Sequence, residues 1–158
     1  MLHPEPYRVH ERPPTVEELR ALYAAVGWTD LPDDDAVARG LSASLFGVVV
    51  TLGPDLAGCG RVVGDGGVYF YVQDLIVAPA HQGRGVGDIV MRELLRRLER
   101  QATRNAFVGL MAADGRAGFY ERYGFAARPP GSPGMALAWD AGRTPAAPRR
   151  PGPPASDR

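Results

Sequence analysis

The chain has no lysine; all 18 of its basic residues are arginine. That absence excludes lysine Schiff-base chemistry, and with it the pyridoxal phosphate enzymes, and it excludes the phosphate loop that requires Gly-Lys-Ser/Thr. Cysteine is nearly absent too. Cys59 alone cannot form an internal disulfide, so a reducing compartment, the cytoplasm, is expected. Neither charge sign is in excess, with 18 acidic residues against 18 basic, so no global field draws the protein to nucleic acid or to a membrane surface. No apolar run approaches the ~20 residues of a membrane helix, and the proline-containing start, MLHPEPYRVHERPP, has no signal-peptide apolar core. A length of 158 residues supplies one core and not two.

What is present is concentrated between Gln73 and Arg100. Leu75, Ile76 and Val77 form a short apolar run stopped at Ala78-Pro79, where proline removes a backbone donor; the pattern predicts a buried strand. From Asp88 the period becomes helical. Met91, Leu94, Leu95 and Leu98 share one face, with Arg92, Glu93, Arg96, Arg97 and Glu99 on the other. Between strand and helix lies Gln82-Gly83-Arg84-Gly85-Val86-Gly87. Three glycines in six residues let the backbone bring several N–H groups to one point, and the following helix adds its positive N-terminal end. That is a cradle for an anion, most simply phosphate. It is not the dinucleotide fingerprint G-x-G-x-x-G, because the three glycines are spaced two apart. A glycine-rich turn with no ligand is the plainer alternative.

In chain order, Tyr7 to His10 predicts a first strand ended by Arg12-Pro13-Pro14. Thr15 and Glu18 form a capping box, and Val16, Leu19, Leu22, Tyr23 and Val26 keep helical spacing up to Gly27. Trp28 lies in the loop that follows. Asp33, Asp34 and Asp35 precede a helix over Ala36 to Ser44; they read as caps, with a site for a cationic amine as the sharper alternative. Phe46 to Leu52, Leu56 to Val63 and Val68 to Val77 are expected strands separated by glycine turns, and Cys59 in the second is a small core residue. Phe107 to Met111 predicts a further strand, Gly115 to Tyr123 a short helix, and Met135 to Trp139 a last strand. Beyond Asp140 proline, alanine, glycine and arginine prevail. The expected organisation is therefore one domain over residues 1–140 and a disordered tail over 141–158.

Two motifs carry a family resemblance. Gln82, Gly85 and Gly87, set between strand and helix, resemble the acetyl-CoA loop Q/R-x-x-G-x-G/A of the GNAT superfamily of N-acetyltransferases, and Phe119-Tyr120 with Gly124-Phe125 resembles its second motif, F/L-Y-x-x-x-G-F. The resemblance covers most of Tyr7 to Trp139. It implies an α/β fold in which a central mixed, mostly antiparallel sheet with splayed middle strands is flanked by helices. It further implies acetyl-CoA as donor, with main-chain contacts from Leu75, Ile76 and Val77 and pyrophosphate on Gln82, Gly83, Arg84, Gly85, Val86 and Gly87. Arg116 stands where relatives usually have an asparagine that touches the cofactor. By position Tyr120 is the general acid, and Trp28, Tyr69 and Tyr71 are candidates to line the acceptor's entry.

The base departs from the family pattern. Tyr69, Tyr71 and Gln73 occupy the strand face where relatives often place glutamate or histidine, and strict alternation puts Asp74, the strand's carboxylate, on the opposite face unless a bulge reverses it. Gln73 holding a water relay, or an amine arriving neutral, fills the gap. The implied function is transfer of acetyl from acetyl-CoA to a small-molecule primary amine in a ternary complex. An acyl-CoA-binding or sensing module with weak catalysis, or a protein amine acetyltransferase, are the alternatives. No metal is expected, and a homodimer is an open assembly.

Overall fold

A computed structural model of the chain describes residues 6–139 together with 145 and 146. Residues 1–111 form one compact unit and residues 112–158 a second. The first unit is a five-stranded sheet in the order β1 (Arg8–His10), β2 (Phe46–Leu52), β3 (Asp55–Gly64), β4 (Tyr69–Val77) and β5 (Phe107–Gly109). The first four strands pair antiparallel, because short glycine turns join β2 to β3 and β3 to β4. β5 lies parallel to β4, reached through the long helix α3 (Val86–Gln101). A mixed, mostly antiparallel sheet flanked by helices is the expected architecture.

Helices cover both faces. α1 (Val16–Ala25) opens with the predicted capping box: Thr15 Oγ1 accepts from the Glu18 amide at 3.1 Å and Glu18 accepts from the Thr15 amide at 2.9 Å. α2 (Asp34–Ser42) starts two residues earlier than its periodicity predicts, because Asp33 is the cap and accepts from the Ala36 amide at 2.9 Å. Asp34 pairs with Arg20 of α1. The cluster therefore acts as caps and pairing groups. Leu19 and Leu22 of α1 and Val37 and Leu41 of α2 pack on Val49, Cys59 and Ile76, which fixes that face of the sheet as the α1/α2 face. Burial pushes the Cys59 thiol up, as suits a core residue.

On the other face, α3 approaches β3 so closely that a Cβ at Gly58 would meet Val86 at 3.1 Å and one at Gly60 would meet Val90 at 2.7 Å. Glycine in β3 is thus the condition for seating α3. Val86, Val90, Met91, Leu94 and Leu98 are its buried stripe, so the helix begins two residues before the first predicted helical position. Among the described residues no helix is long and apolar enough to cross a membrane.

β4 breaks the alternation. Gln73 pairs with Arg61 and Ile76 with Cys59, so Asp74 and Leu75 together oppose the single residue Gly60. Asp74 is the bulged residue, with φ 55, left-handed for a non-glycine. The extra residue switches faces: Gln73 and Ile76 both lie on the α1/α2 side, and Asp74 reaches that side as well. The expectation of strict alternation is corrected by this bulge.

The second unit is described by α4 (Ala117–Glu121) and a two-stranded ribbon, β6 (Ala138–Trp139) paired with β7 (Pro145–Ala146). Both α4 and β6 are shorter than predicted, since Gly115 and Gly124 adopt positive φ, 73 and 90, at either side of α4, and β6 is two residues of the expected five. Apart from Pro145 and Ala146, the predicted tail lies outside the described residues.

Candidate active site

The glycine loop lies at the end of β4. A 3₁₀ turn (Pro79–His81) follows Val77, and residues 82–85 deliver the chain to α3. Gly83 and Gly85 hold φ 72 and 83, conformations that L side chains avoid, and a Cβ added at either meets nothing within 4 Å. Glycine is needed here for backbone shape, and the space above the loop is open. Gly85 caps α3 without a side-chain bond, and the first-turn N–H groups of a helix have no intrahelical acceptor and sit at its positive end. Val86 is 1 % exposed and pins the loop to the sheet.

The side chains of the loop point to a structural job. Gln82 Nε2 donates to the Val77 carbonyl at 3.1 Å, clamping the loop to the strand it leaves. Arg84 donates to the Ala80 carbonyl at 3.5 Å. Asp88, whose charge would oppose an anion, is held by Arg92 one turn on, at 3.1 Å. An open, N–H-rich loop with its nearest carboxylate engaged fits a pyrophosphate.

Beside the loop the sheet opens. β4 and β5 pair only from Tyr69–Phe107 to Tyr71–Gly109, while β4 runs on to Val77. Leu75, Ile76 and Val77 lie beyond that ladder, and the Ile76 side chain is buried in the α1/α2 core, so its main chain is what a ligand could meet there. The splay expected of the middle strands is this early end of the ladder.

Around the bulge stands a polar cluster drawn from four elements. Asp74 is 6 % exposed and accepts three hydrogen bonds: from Tyr23 Oη of α1 at 2.7 Å, from Arg61 Nε of β3 at 2.7 Å and from Gln73 Nε2 at 3.0 Å. Arg61 also donates to the Gly40 carbonyl at 3.1 Å and to Ser44 Oγ at 3.2 Å, tying the end of α2 to the sheet. Burial, and then the Asp74 charge beside it, push the Tyr23 phenol up and keep it protonated. Cys59 Sγ–H donates to the Asp74 carbonyl at 3.3 Å. Sequence reasoning missed Tyr23 and Arg61. A signal existed, because Arg61 is the one cation of β3 and Asp74 the one charge of the neighbouring β4, and buried charges need partners.

The expected acceptor-side residues take different places. Tyr71 and Gln73 share the α1/α2 face and are half-buried; burial pushes the Tyr71 phenol up. Tyr69 is exposed, its ring 6.4 Å from Phe107. Trp28 packs edge-on against Tyr23 at 5.2 Å, which makes it a support of the polar cluster. Among the described residues no group of three or more His, Cys, Asp and Glu is placed to hold a metal ion.

In the second unit, Tyr120 and Tyr123 flank one ring: Phe119 lies 5.1 Å from Tyr120 and 5.4 Å from Tyr123. Arg122 stacks over Phe119 and Tyr123, and Phe125 meets Tyr120 edge-on at 6.2 Å. The Tyr120 carbonyl accepts from the amides of Tyr123 and Phe125, so the Tyr-x-x-x-Gly-Phe motif closes its own turn. Arg116 is the N-cap residue of α4 and offers no side-chain cap.

These features agree with the relatives. Residues 44–127 match the family model of the acetyltransferase (GNAT) domain. An uncharacterized N-acetyltransferase, ycf52, of Porphyra purpurea is 31% identical over 121 residues, covering 75% of this chain and 68% of that protein. A GNAT family acetyltransferase from Streptococcus pneumoniae superposes with TM-score 0.64 at 32% identity, over 77% of this chain and 88% of that one. A Staphylococcus aureus protein of unknown function gives TM-score 0.77 at 29% identity, over 84% and 99%. At 22% identity the likeness is one of fold alone to a GNAT acetyltransferase from Brucella melitensis in complex with acetyl-CoA, with TM-score 0.56 over 78% and 84%. The chain accordingly belongs to the GNAT acetyltransferase family and is an N-acetyltransferase whose donor is acetyl-CoA.

Proposed function

We propose that the acceptor is a small-molecule primary amine that attacks acetyl-CoA directly in a ternary complex, bound by a domain spanning residues 1–140 and working in the cytoplasm. In that step the amine nitrogen forms a bond to the thioester carbonyl carbon, the carbon–sulfur bond breaks, the nitrogen loses a proton and the CoA thiolate gains one. The observation that carries the reading is the open edge of β4: past Tyr71 the strand has left β5 and leads straight to the glycine loop. Pyrophosphate would rest on Gln82 to Gly87, with Arg116 near the cofactor, and the extended arm along the main chain of Leu75, Ile76 and Val77. Tyr71 and Gln73 would face the acceptor, with Trp28 behind them and Tyr69 at the entrance. The even charge balance, 18 against 18, supports a small molecule over a basic or acidic peptide.

Tyr120 is the proposed acid for the departing thiolate, since the motif selects it over Tyr123. A screen of primary amines, aromatic amines, polyamines and amino sugars, read by release of free CoA thiol, tests the reading. On the amine it identifies, Tyr120→Phe should lose on the order of 10²-fold in kcat with acetyl-CoA affinity little changed, and Tyr123→Phe should be nearly silent. Wild-type turnover by Tyr120→Phe across a pH series would remove the assignment.

One observation favours a second reading, an acyl-CoA-binding module with weak catalysis: the one carboxylate of β4, Asp74, is already held by Arg61. Tight acetyl-CoA binding with no thiol release from any amine would select it.

A further inference from the structure

The orientation of one amide is fixed by its neighbours. Asp74 accepts from Arg61 Nε at one carboxylate oxygen, Oδ2, and from Tyr23 Oη and Gln73 at the other, Oδ1. An ionised carboxylate only accepts, so the Gln73 amide must turn its nitrogen, Nε2, to Asp74. Its oxygen, Oε1, then points away from the cluster. Among the described residues Oε1 has no partner, and no buried side-chain N or O atom of those residues lacks one, so solvent reaches it. Gln73 stands two residues past Tyr71, where the β4–β5 ladder ends.

We propose that Arg61 and Tyr23 are positioning residues: they hold the Asp74 carboxylate so that it turns the Gln73 amide and presents Oε1 to an N–H of the incoming amine. The inference rests on the amine-acetylation reading above and adds to it how the amine is aimed. A neutral carbonyl accepts from an amine without stabilising its protonated form. A carboxylate at the same place would favour the ammonium, which has no lone pair to attack with. The backbone of Asp74 is consistent with a maintained feature, since a left-handed non-glycine residue persists only where its surroundings over-determine it, and here three donors do.

The polarity can be inverted without changing shape. In Asp74→Asn, the Arg61 guanidinium, a donor only, keeps the asparagine oxygen, so the asparagine nitrogen occupies the Oδ1 position. Gln73 must then flip to offer Oε1 inward, leaving Nε2 outward. In the double variant Gln73→Glu/Asp74→Asn, one glutamate oxygen accepts from that nitrogen and the other faces outward again. The charge lost at position 74 is also restored opposite Arg61, the cross-strand partner of position 73.

The experiment reads orientation first. By NMR, the Gln73 side-chain amide protons should show a nuclear Overhauser effect to the Tyr23 ring in the wild type, because both groups donate to the same oxygen. It should vanish in Asp74→Asn. With acetyl-CoA and 2-phenylethylamine as the probe amine, Asp74→Asn should raise KM for the amine at least tenfold and leave KM for acetyl-CoA unchanged. The double variant should recover most of that loss in KM, while its kcat stays low near neutral pH because the glutamate carboxylate favours the ammonium. Gln73→Met, which leaves Asp74, Arg61 and Tyr23 in place, should raise the amine KM equally with no fall in Tm, so the test survives even if Asp74→Asn folds poorly. Absence of the wild-type effect, or a double variant no better than Asp74→Asn, overturns the proposal. No turnover of 2-phenylethylamine or any screened amine by the wild type would count against the amine reading instead, while the NMR signal still decides the orientation.

Discussion

The loop that follows β4 and the bulge within it, both assigned to the proposed site, are built in opposite ways. The loop is open: glycines with nothing within 4 Å of an added Cβ, and a cap that contributes no side chain. What it offers an anion is backbone N–H donors. The bulge is closed. Asp74 accepts from three side chains, and its main partner Arg61 reaches on to α2. A loop that binds with backbone requires only that nothing be added to it, whereas a cluster that aims a side chain requires every member. Damage to the first should therefore appear in acetyl-CoA affinity, and loss of the buried ion pair in the second in stability.

The largest effect expected on this contrast is at the bulge. Arg61 and Asp74 meet at 2.7 Å with side chains 15 % and 2 % exposed, so Arg61→Leu strands a buried carboxylate. Breaking such a pair costs about 3 kcal/mol, a fall in Tm of roughly 10 °C for a chain of this size. Calorimetric scanning measures it, and acetyl-CoA affinity of the folded fraction should stay within about threefold, the spread usual for a group outside the contact. An unchanged Tm would mean that the cluster does not hold α2 to the sheet.

The loop should behave in reverse. Gly85→Ala places a Cβ on a left-handed residue in open space, so it should lose about 1 kcal/mol of stability and little affinity. Gly85→Glu adds a bulky negative charge where pyrophosphate is proposed to lie, and affinity should drop by well over tenfold beyond the alanine variant. Titration calorimetry separates the two. A folded Gly85→Glu protein that binds acetyl-CoA like the wild type would place the donor elsewhere.

The same contrast explains what could be read from the residues alone. The loop, the capping box, the Asp33 cap and the α3 stripe are local, set by spacings of two to four residues, and the structure reproduces them with end shifts of about two residues. The acceptor side is not local. Tyr23 and Asp74 are 51 residues apart in sequence, and Arg61 and Asp74 are 13 apart. Only the β3–β4 register brings them together, and that register contains a bulge which period-two reasoning places wrongly by one residue. The alternation of buried residues through β4 concealed it, since the faces before and after Asp74 are both covered by helices.

Local features also stabilise less, and α1 offers the sharpest place to see it, because one end is fixed by a local motif and its body carries Tyr23 to the bulge. At its start, Arg12 donates to both oxygens of Glu18, at 2.7 and 2.8 Å, while Glu18 closes the capping box with Thr15. Thr15→Ala should cost about 1 kcal/mol, nearly independent of pH below neutrality. Glu18→Gln keeps an N3 side chain able to accept from Thr15 and removes only the charge. Arg12 is 44 % exposed and Glu18 24 %, so solvent screens the pair and the loss at pH 7 should be well under 1 kcal/mol. Its pH dependence has a definite sign. The Arg12 hydrogen bond, more than any other influence, holds the Glu18 carboxyl below the ordinary carboxylate range, against the opposing pull of burial. A carboxyl lowered on folding contributes fully above its unfolded value, about 4.3, and loses that contribution as pH falls through the lower folded value. The Tm difference between wild type and Glu18→Gln should thus be present at pH 7 and shrink steadily below about pH 4. The Thr15→Ala difference should persist there. A Glu18→Gln gap that widened on acidification would show that Arg12 does not stabilise the charged carboxylate, and the start of α1 would then rest on the Thr15 cap alone.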